Sequence, residues 1–412
     1  MIFKIAIKNI FNKPLNFLLG WLLLTVSVGI ISLLLLVQQQ IEQQFTNDIK
    51  GVDMVLGAKG SPLQMILSAV YHMDAPTGNI KYTEAEKWMK HPFVESAIPL
   101  AYGDSYKGYS VLGTTTAYLD KYNAAIKDGK LYANDFEVVV GSTVSNILKL
   151  KLGDTFLGTH GDKEGGEVHK AHHYIVTGIL KPSGSVIDNL IIGNIESVWK
   201  MHEHHEEKKV INGAAAAAEE EDPNEADELK QQEITAVLLK FRNPMAQIQL
   251  PRIINTGSNM MAAVPAIEVN RLFSLLGIGI DTLKKMAWGI MILSALSVFI
   301  TLFNALKDRK YELALMRTMG GSRTKLMLLV LLESMLLCIS GFICGIILSR
   351  TVLYFLSKAA QSDYHFSFKN FSLQLPEEKY LFFITMAVGI AAALIPAVKA
   401  YRLNISKTLA NG

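Results

Sequence analysis

The chain of 412 residues holds only two cysteines, and no more than 19% of it is charged. Cys338 and Cys344 share one apolar run and fall on different faces of any helix it forms. The long mixed stretch that precedes this run has no cysteine, so no disulfide framework staples it. Neither sign of charge dominates: 40 Lys and Arg face 37 Asp and Glu, for a net charge of +3. That balance gives no general attraction to nucleic acid, and no nucleic-acid partner is expected. Catalytic and nucleotide motifs are missing as well. There is no G-x-x-x-x-G-K-[ST] loop, no G-x-S-x-G elbow and no H-E-x-x-H, so the chain is not read as an enzyme. "GAKGSP" at 57–62 has glycines and a lysine at the wrong spacing, and reads as a strand-to-helix turn with Gly57 and Gly60 supplying the geometry. No repeat of solenoid period is present.

What the sequence does have is apolar length. Half of its residues are hydrophobic. A bilayer helix needs about 20 such residues in a row to cross about 30 Å. Four segments meet that need, at 17–37, 283–306, 326–357 and 380–398. The first is too long for a signal core and leads into "QQQIEQQF" with no small-residue cleavage site, so it reads as a retained anchor. The expected fold class is an α-helical membrane protein with four transmembrane helices and a large α+β domain, residues 38–282, inserted between the first and second.

Basic residues orient the spans. Lys4, Lys8 and Lys13 lie in the amphipathic leader 1–16, six Lys and Arg from Lys307 to Lys325 in the connector 307–325, and Lys399, Arg402 and Lys407 in the tail 399–412. The loop 358–379 has only Lys358, Lys369 and Lys379; Lys284 and Lys285 oppose the trend without reversing it. Both termini and the connector are therefore expected in the cytoplasm of a multi-pass inner-membrane protein, with 38–282 outside it.

In that domain "VDMVLGA", "FEVVVG", "DTFLGT", "HYIVTGIL" and "ITAVLLKF" read as strands and "STVSNILKL" as a helix. Ser61 is placed to cap a helix carrying Pro62 in its first turn, with Leu63, Ile66, Leu67 and Val70 on one face. Thr83-x-x-Glu86 reads as a capping box. The alanine-rich and acidic stretch 203–233 reads as a mobile insertion. Seven of the ten histidines fall between His160 and His205. His202, His204 and His205, with Glu203 or Glu206, have the chemistry to chelate zinc; the same run also fits a solvated loop with no metal role.

The connector carries its own pattern. Tyr311, Leu315 and Met319 form an i, i+4, i+8 stripe flanked by Met316, while Asp308, Arg309, Glu312 and Arg317 are polar. Gly320 and Gly321 are suited to end this helix, and Ser322 to cap the next. Such a helix either anchors the turn at the membrane surface or docks a partner. Glu333, within the third span, is either functional or, near its cytoplasmic end, snorkels or pairs with a basic connector residue.

"DRKYELALMRTMGGSRTKLMLLVLLES" resembles the hallmark of MacB/FtsX-type ABC transporter permeases, and "LIPAVKAYRLNISKTLANG" resembles the end of that family. "MIFKIAIKNIFNKPLNFLL" and "VVVGSTVSNILKLKLGDTF" are similar to its leading helix and to its exterior core domain. The resemblance implies a permease subunit working by mechanotransmission, without ATPase activity of its own. A separate ATP-binding subunit would hold ATP and Mg²⁺, two permeases would pair as a homo- or heterodimer, and periplasmic or outer-membrane partners are possible. It also implies that Arg309, Tyr311, Glu312, Leu315, Met316, Arg317, Met319, Gly320 and Gly321 form the helix coupled to the ATPase. Export or extraction of a substrate is the leading reading. An FtsX-like scaffold controlling a cell-wall hydrolase is the alternative, and a zinc-linked envelope system a weaker one.

Overall fold

A computed structural model describes residues 3, 5, 6, 8, 14–160, 172–201, 232–363 and 375–403. The chain divides into two compact units: Met1–Glu42 with Leu275–Gly412, and Gln43–Ser274 between them. Helix α1, Pro14–Asp48, leads into the inserted unit. There follow β1 (Met54–Ala58), α2 (Pro62–Ala69), β2 (Ile80–Lys81), α3 (Tyr82–Met89), β3 (Val94–Tyr106) and β4 (Tyr109–Thr114). Next come α4 (Ala117–Lys121), β5 (Ile126–Gly129), β6 (Glu137–Val140), α5 (Ser142–Leu148), β7 (Thr155–Phe156), β8 (Thr159–His160) and β9 (Tyr174–Leu180). A 3-10 turn, Val186–Asn189, precedes β10 (Ile191–Asn194), β11 (Glu233–Ile234), β12 (Ala236–Phe241), α6 (Pro244–Gly257) and β13 (Met260–Ala263). The chain closes with α7 (Pro265–Asp308), α8 (Lys310–Thr318), α9 (Arg323–Asp363) and α10 (Leu375–Tyr401).

The inserted unit is built on one mixed sheet in the order β13-β1-β12-β3-β4-β10-β6-β9-β5, with β7 on β9 and β8 on β3. Most pairings are antiparallel; β4–β10 and β6–β9 are parallel. Two apolar clusters lie along it. One gathers Met54 and Leu56 of β1, Val237 and Leu239 of β12 and Leu250 and Ile254 of α6. The other gathers Val111, Val138, Val140, Val144, Tyr174 and Ile191. Strand residues such as Met54, Val55 and Leu56 are fully buried in succession, which explains why these strands read as continuous apolar runs rather than alternating ones.

Ser61 caps α2 as its sequence suggests, accepting from the Gln64 amide at 3.4 Å. Thr83 does not cap α3. That helix starts at Tyr82, with Lys81 at the cap position and no side-chain capping bond. The short ribbon β2–β11 sets this start, because Lys81 pairs with Glu233 and the Tyr82 amide donates to the Gln232 carbonyl at 2.8 Å. Glu233 is thus strand, so the end of the 203–233 insertion as read from sequence belongs to the fold. Gly57 is not a turn residue either. It sits inside β1 opposite Ala236, where a Cβ would come within 2.6 Å of Met65 Sδ.

Among the described residues, the other unit holds four helices long and apolar enough to cross a membrane: α1, α7, α9 and α10. Each is longer than its apolar run, because polar helix continues past the apolar residues; in α1, Gln38 donates to Glu42 at 2.8 Å, one turn on. The loop expected at 358–379 is shorter, since α9 continues to Asp363 and α10 begins at Leu375. α1 and α9 touch almost backbone to backbone. A Cβ on Gly345 would lie 2.8 Å from Val28 Cγ1 and 2.9 Å from the Thr25 carbonyl. Polar side chains bridge the same pair of helices, Trp21 to Ser340 at 3.2 Å and Ser32 to Ser349 at 3.1 Å. On α9's contact with α10, Ser334 donates to the Gly389 carbonyl at 2.7 Å.

Candidate functional site

The connector between α7 and α9 folds as a helix of its own. α7 stops at Asp308, and Arg309 leaves helical geometry with φ −102° and ψ 14°. α8 then runs for nine residues. It ends where Gly320 adopts φ 94°, a left-handed conformation that glycine takes without strain. The Gly321 amide donates to the Met316 carbonyl and the Gly320 amide to the Arg317 carbonyl, the paired bonds of a Schellman stop. Ser322 then caps α9, accepting from the Lys325 amide at 3.3 Å.

The two sides of α8 differ sharply. Leu313 is buried in a cluster with Leu306, Leu326, Leu329, Ala397 and Ala400, with Met316 packed at its edge, and Ala314 beside it is fully buried. The opposite side shows Tyr311, Leu315 and Met319, which are 52%, 48% and 82% exposed. Glu312 and Lys310 are exposed beside them. The stripe read from the sequence is therefore an apolar surface turned away from its own bundle.

Two of the polar residues read around that stripe turn inward. The Arg309 guanidinium stands 3.3 Å from Glu333 Oε1, with side chains only 11% and 5% exposed. Arg317 Nη1 donates to the Leu403 carbonyl at 3.1 Å. Glu333 thus has a connector cation as partner, one of the roles open to it. The family resemblance assigns Arg309 and Arg317 to the coupling helix, and in the fold both side chains turn inward. The available signal was Glu333 itself, since a buried acid requires a cation within reach.

His202, His204 and His205 lie outside the described residues. Among the described residues no group of three or more His, Cys, Asp or Glu is placed to hold a metal ion.

A titratable cluster in the inserted unit carries no motif in the sequence. His72 adopts φ 54° and its Nε2 lies 2.6 Å from the Tyr118 hydroxyl. Lys121 Nζ donates to the Asp48 carbonyl at 2.8 Å and sits 3.6 Å above the Tyr122 ring. Burial, with the Lys121 charge adding to it, pushes His72 down to about 3, and burial lowers Lys121 to about 8.

Comparison with known proteins gives two domain matches. The model of the FtsX-like permease C-terminal domain matches residues 285–405, and that of the MacB-like periplasmic core domain matches residues 21–232. No curated protein matches the chain. Among solved structures, it is similar to the periplasmic region of MacB from Actinobacillus actinomycetemcomitans, at 13% identity and a TM-score of 0.33, over 56% of this chain and 98% of that one. It is also similar to the extracellular domain of the noncanonical ABC-type transporter YknZ from Gram-positive bacteria, at 11% identity and a TM-score of 0.28, over 51% and 98%. With the core-domain match spanning half of the chain and the permease match running from α7 to the end of α10, the chain belongs to the MacB/FtsX-type ABC transporter permeases.

Proposed function

We propose that this chain is the membrane subunit of an ABC transporter whose ATP is bound and hydrolysed, with Mg²⁺, on a separate cytoplasmic subunit. α8 docks into that subunit through Tyr311, Leu315 and Met319, and the ATPase cycle moves the inserted periplasmic domain. The work done is export or extraction of a substrate from the periplasm or the outer leaflet. Both termini and α8 lie in the cytoplasm, and two permeases pair around the ATPase.

The observation that carries this reading is the outward stripe on α8. Three large apolar side chains stay exposed along a nine-residue helix and its C-cap, Met319, while the other face is already packed. A helix that short has little stability of its own, so a partner groove supplies the burial that its outer face lacks.

Met319→Asp tests it. The substitution puts a charge on a side chain that is 82% exposed in the free chain and buried on docking. Burying an unpaired charge costs several kcal/mol, so affinity for the ATP-binding subunit should drop on the order of 100-fold or more. Lys310→Ala, at an exposed position off the stripe, should leave association nearly unchanged. Co-expression followed by copurification reads both. Full association and activity in Met319→Asp would mean that α8 is only a surface anchor.

A further inference from the structure

α8 is joined through the chain to α7 and packs against it at Leu306, and its side chains tie it to other helices as well. A nine-residue helix between a break at Arg309 and a left-handed Gly320 does not fix its own orientation. Its inner side does so, partly through Leu313 and Ala314, which are buried, although apolar burial by itself sets no bond direction. The directional contacts lie near its two ends. At the first, the Arg309 guanidinium meets Glu333 Oε1, on α9, in a pair shielded from solvent. At the second, Arg317 Nη1 meets the Leu403 carbonyl, just past the end of α10.

Fork-shaped guanidinium groups are suited to this task, since they bond along fixed directions and keep their charge when buried. Glu333 stands inside a span, where an acid without a counter-charge would be strongly disfavoured. Two tethers near opposite ends of so short a helix restrict both its roll and its tilt.

We propose that Arg309, Glu333 and Arg317 are positioning residues that fasten α8 to α9 and α10 with its apolar stripe turned outward, so that a displacement of α8 is passed to those two spans. The pivot is the break at Arg309, where α7 is released from α8. This inference rests on the docking role proposed above for α8, but its test does not need the docking partner.

The measurement is hydrogen–deuterium exchange on the full chain in detergent, following the amides of residues 312–319 against those of α9 and α10. Glu333→Gln removes the negative charge that faces the Arg309 guanidinium, and exchange in α8 should rise tenfold or more while α9 and α10 stay as protected as before. Arg317→Ala should raise exchange chiefly in the second half of α8. The double variant Arg309→Glu/Glu333→Arg should restore most of the protection lost in Glu333→Gln, a rescue that a mere loss of folding does not show. The proposal is overturned if α8 exchanges at the parent rate in Glu333→Gln. It is equally overturned if every helix loosens together and the double variant is no better than the single ones. A parent chain that copurifies with no ATP-binding subunit would instead sink the docking role and leave the exchange result standing.

Discussion

His72 occupies left-handed backbone at φ 54° without being glycine, and its ring is held by the Tyr118 hydroxyl. Burial keeps it neutral, with its titration pushed from 6.5 down to about 3. A base whose folded pKa is lowered refuses a proton that the unfolded chain accepts. Stability is therefore lost as pH falls from about 6.5 towards 3, by on the order of 5 kcal/mol when the whole window is crossed. In His72→Gln that contribution is gone. Thermal midpoints of the full chain in detergent between pH 8 and pH 4 should fall more steeply for the parent than for His72→Gln. Parallel profiles would show that His72 is not the group refusing the proton. At this scale the sequence revealed little. "YHMDAP" has no pattern that marks His72, because its partners come from α4, distant in the chain. Arg309 could be read only as polar, since its burial depends on a residue in another helix.

Among the elements, α1 and α9 depend on small residues for their contact. Gly341 and Gly345 let the two helices approach until an added Cβ would strike Leu24 at 2.8 Å and Val28 at 2.8 Å. Gly345→Leu should force the helices apart and cost about 1–3 kcal/mol or more. It should also disturb the bond from Trp21 to Ser340, which tryptophan fluorescence would register. Gly289→Leu, on α7 with open space around the glycine, is the control and should leave the thermal midpoint nearly unchanged. Equal losses from the two changes would mean that close approach at Gly345 is not what holds the pair. The existence of these helices could be read from their apolar runs, and so could the Ser61 cap and the Gly320 stop. The start of α3 could not: the β2–β11 ribbon sets it, and strand pairing across that distance overrides a local capping pattern.

For the whole molecule, the proposed division of labour makes a direct prediction. The purified chain should show no ATP turnover, and turnover should begin only when an ATP-binding subunit is added. Hydrolysis that persists in a preparation free of other proteins would overturn that division. Four spans, a large inserted α+β unit and an amphipathic connector were all determined by the sequence alone, because apolar length and helical periodicity are properties of neighbouring residues. Only the tertiary structure decided the strand order, with its parallel β4–β10 and β6–β9 pairs, and the inward turn of Arg309 and Arg317 that leaves Tyr311, Leu315 and Met319 exposed. Those outcomes depend on contacts between segments far apart in the chain, which local composition does not specify; an acid in a span such as Glu333 calls for a cation without choosing which one.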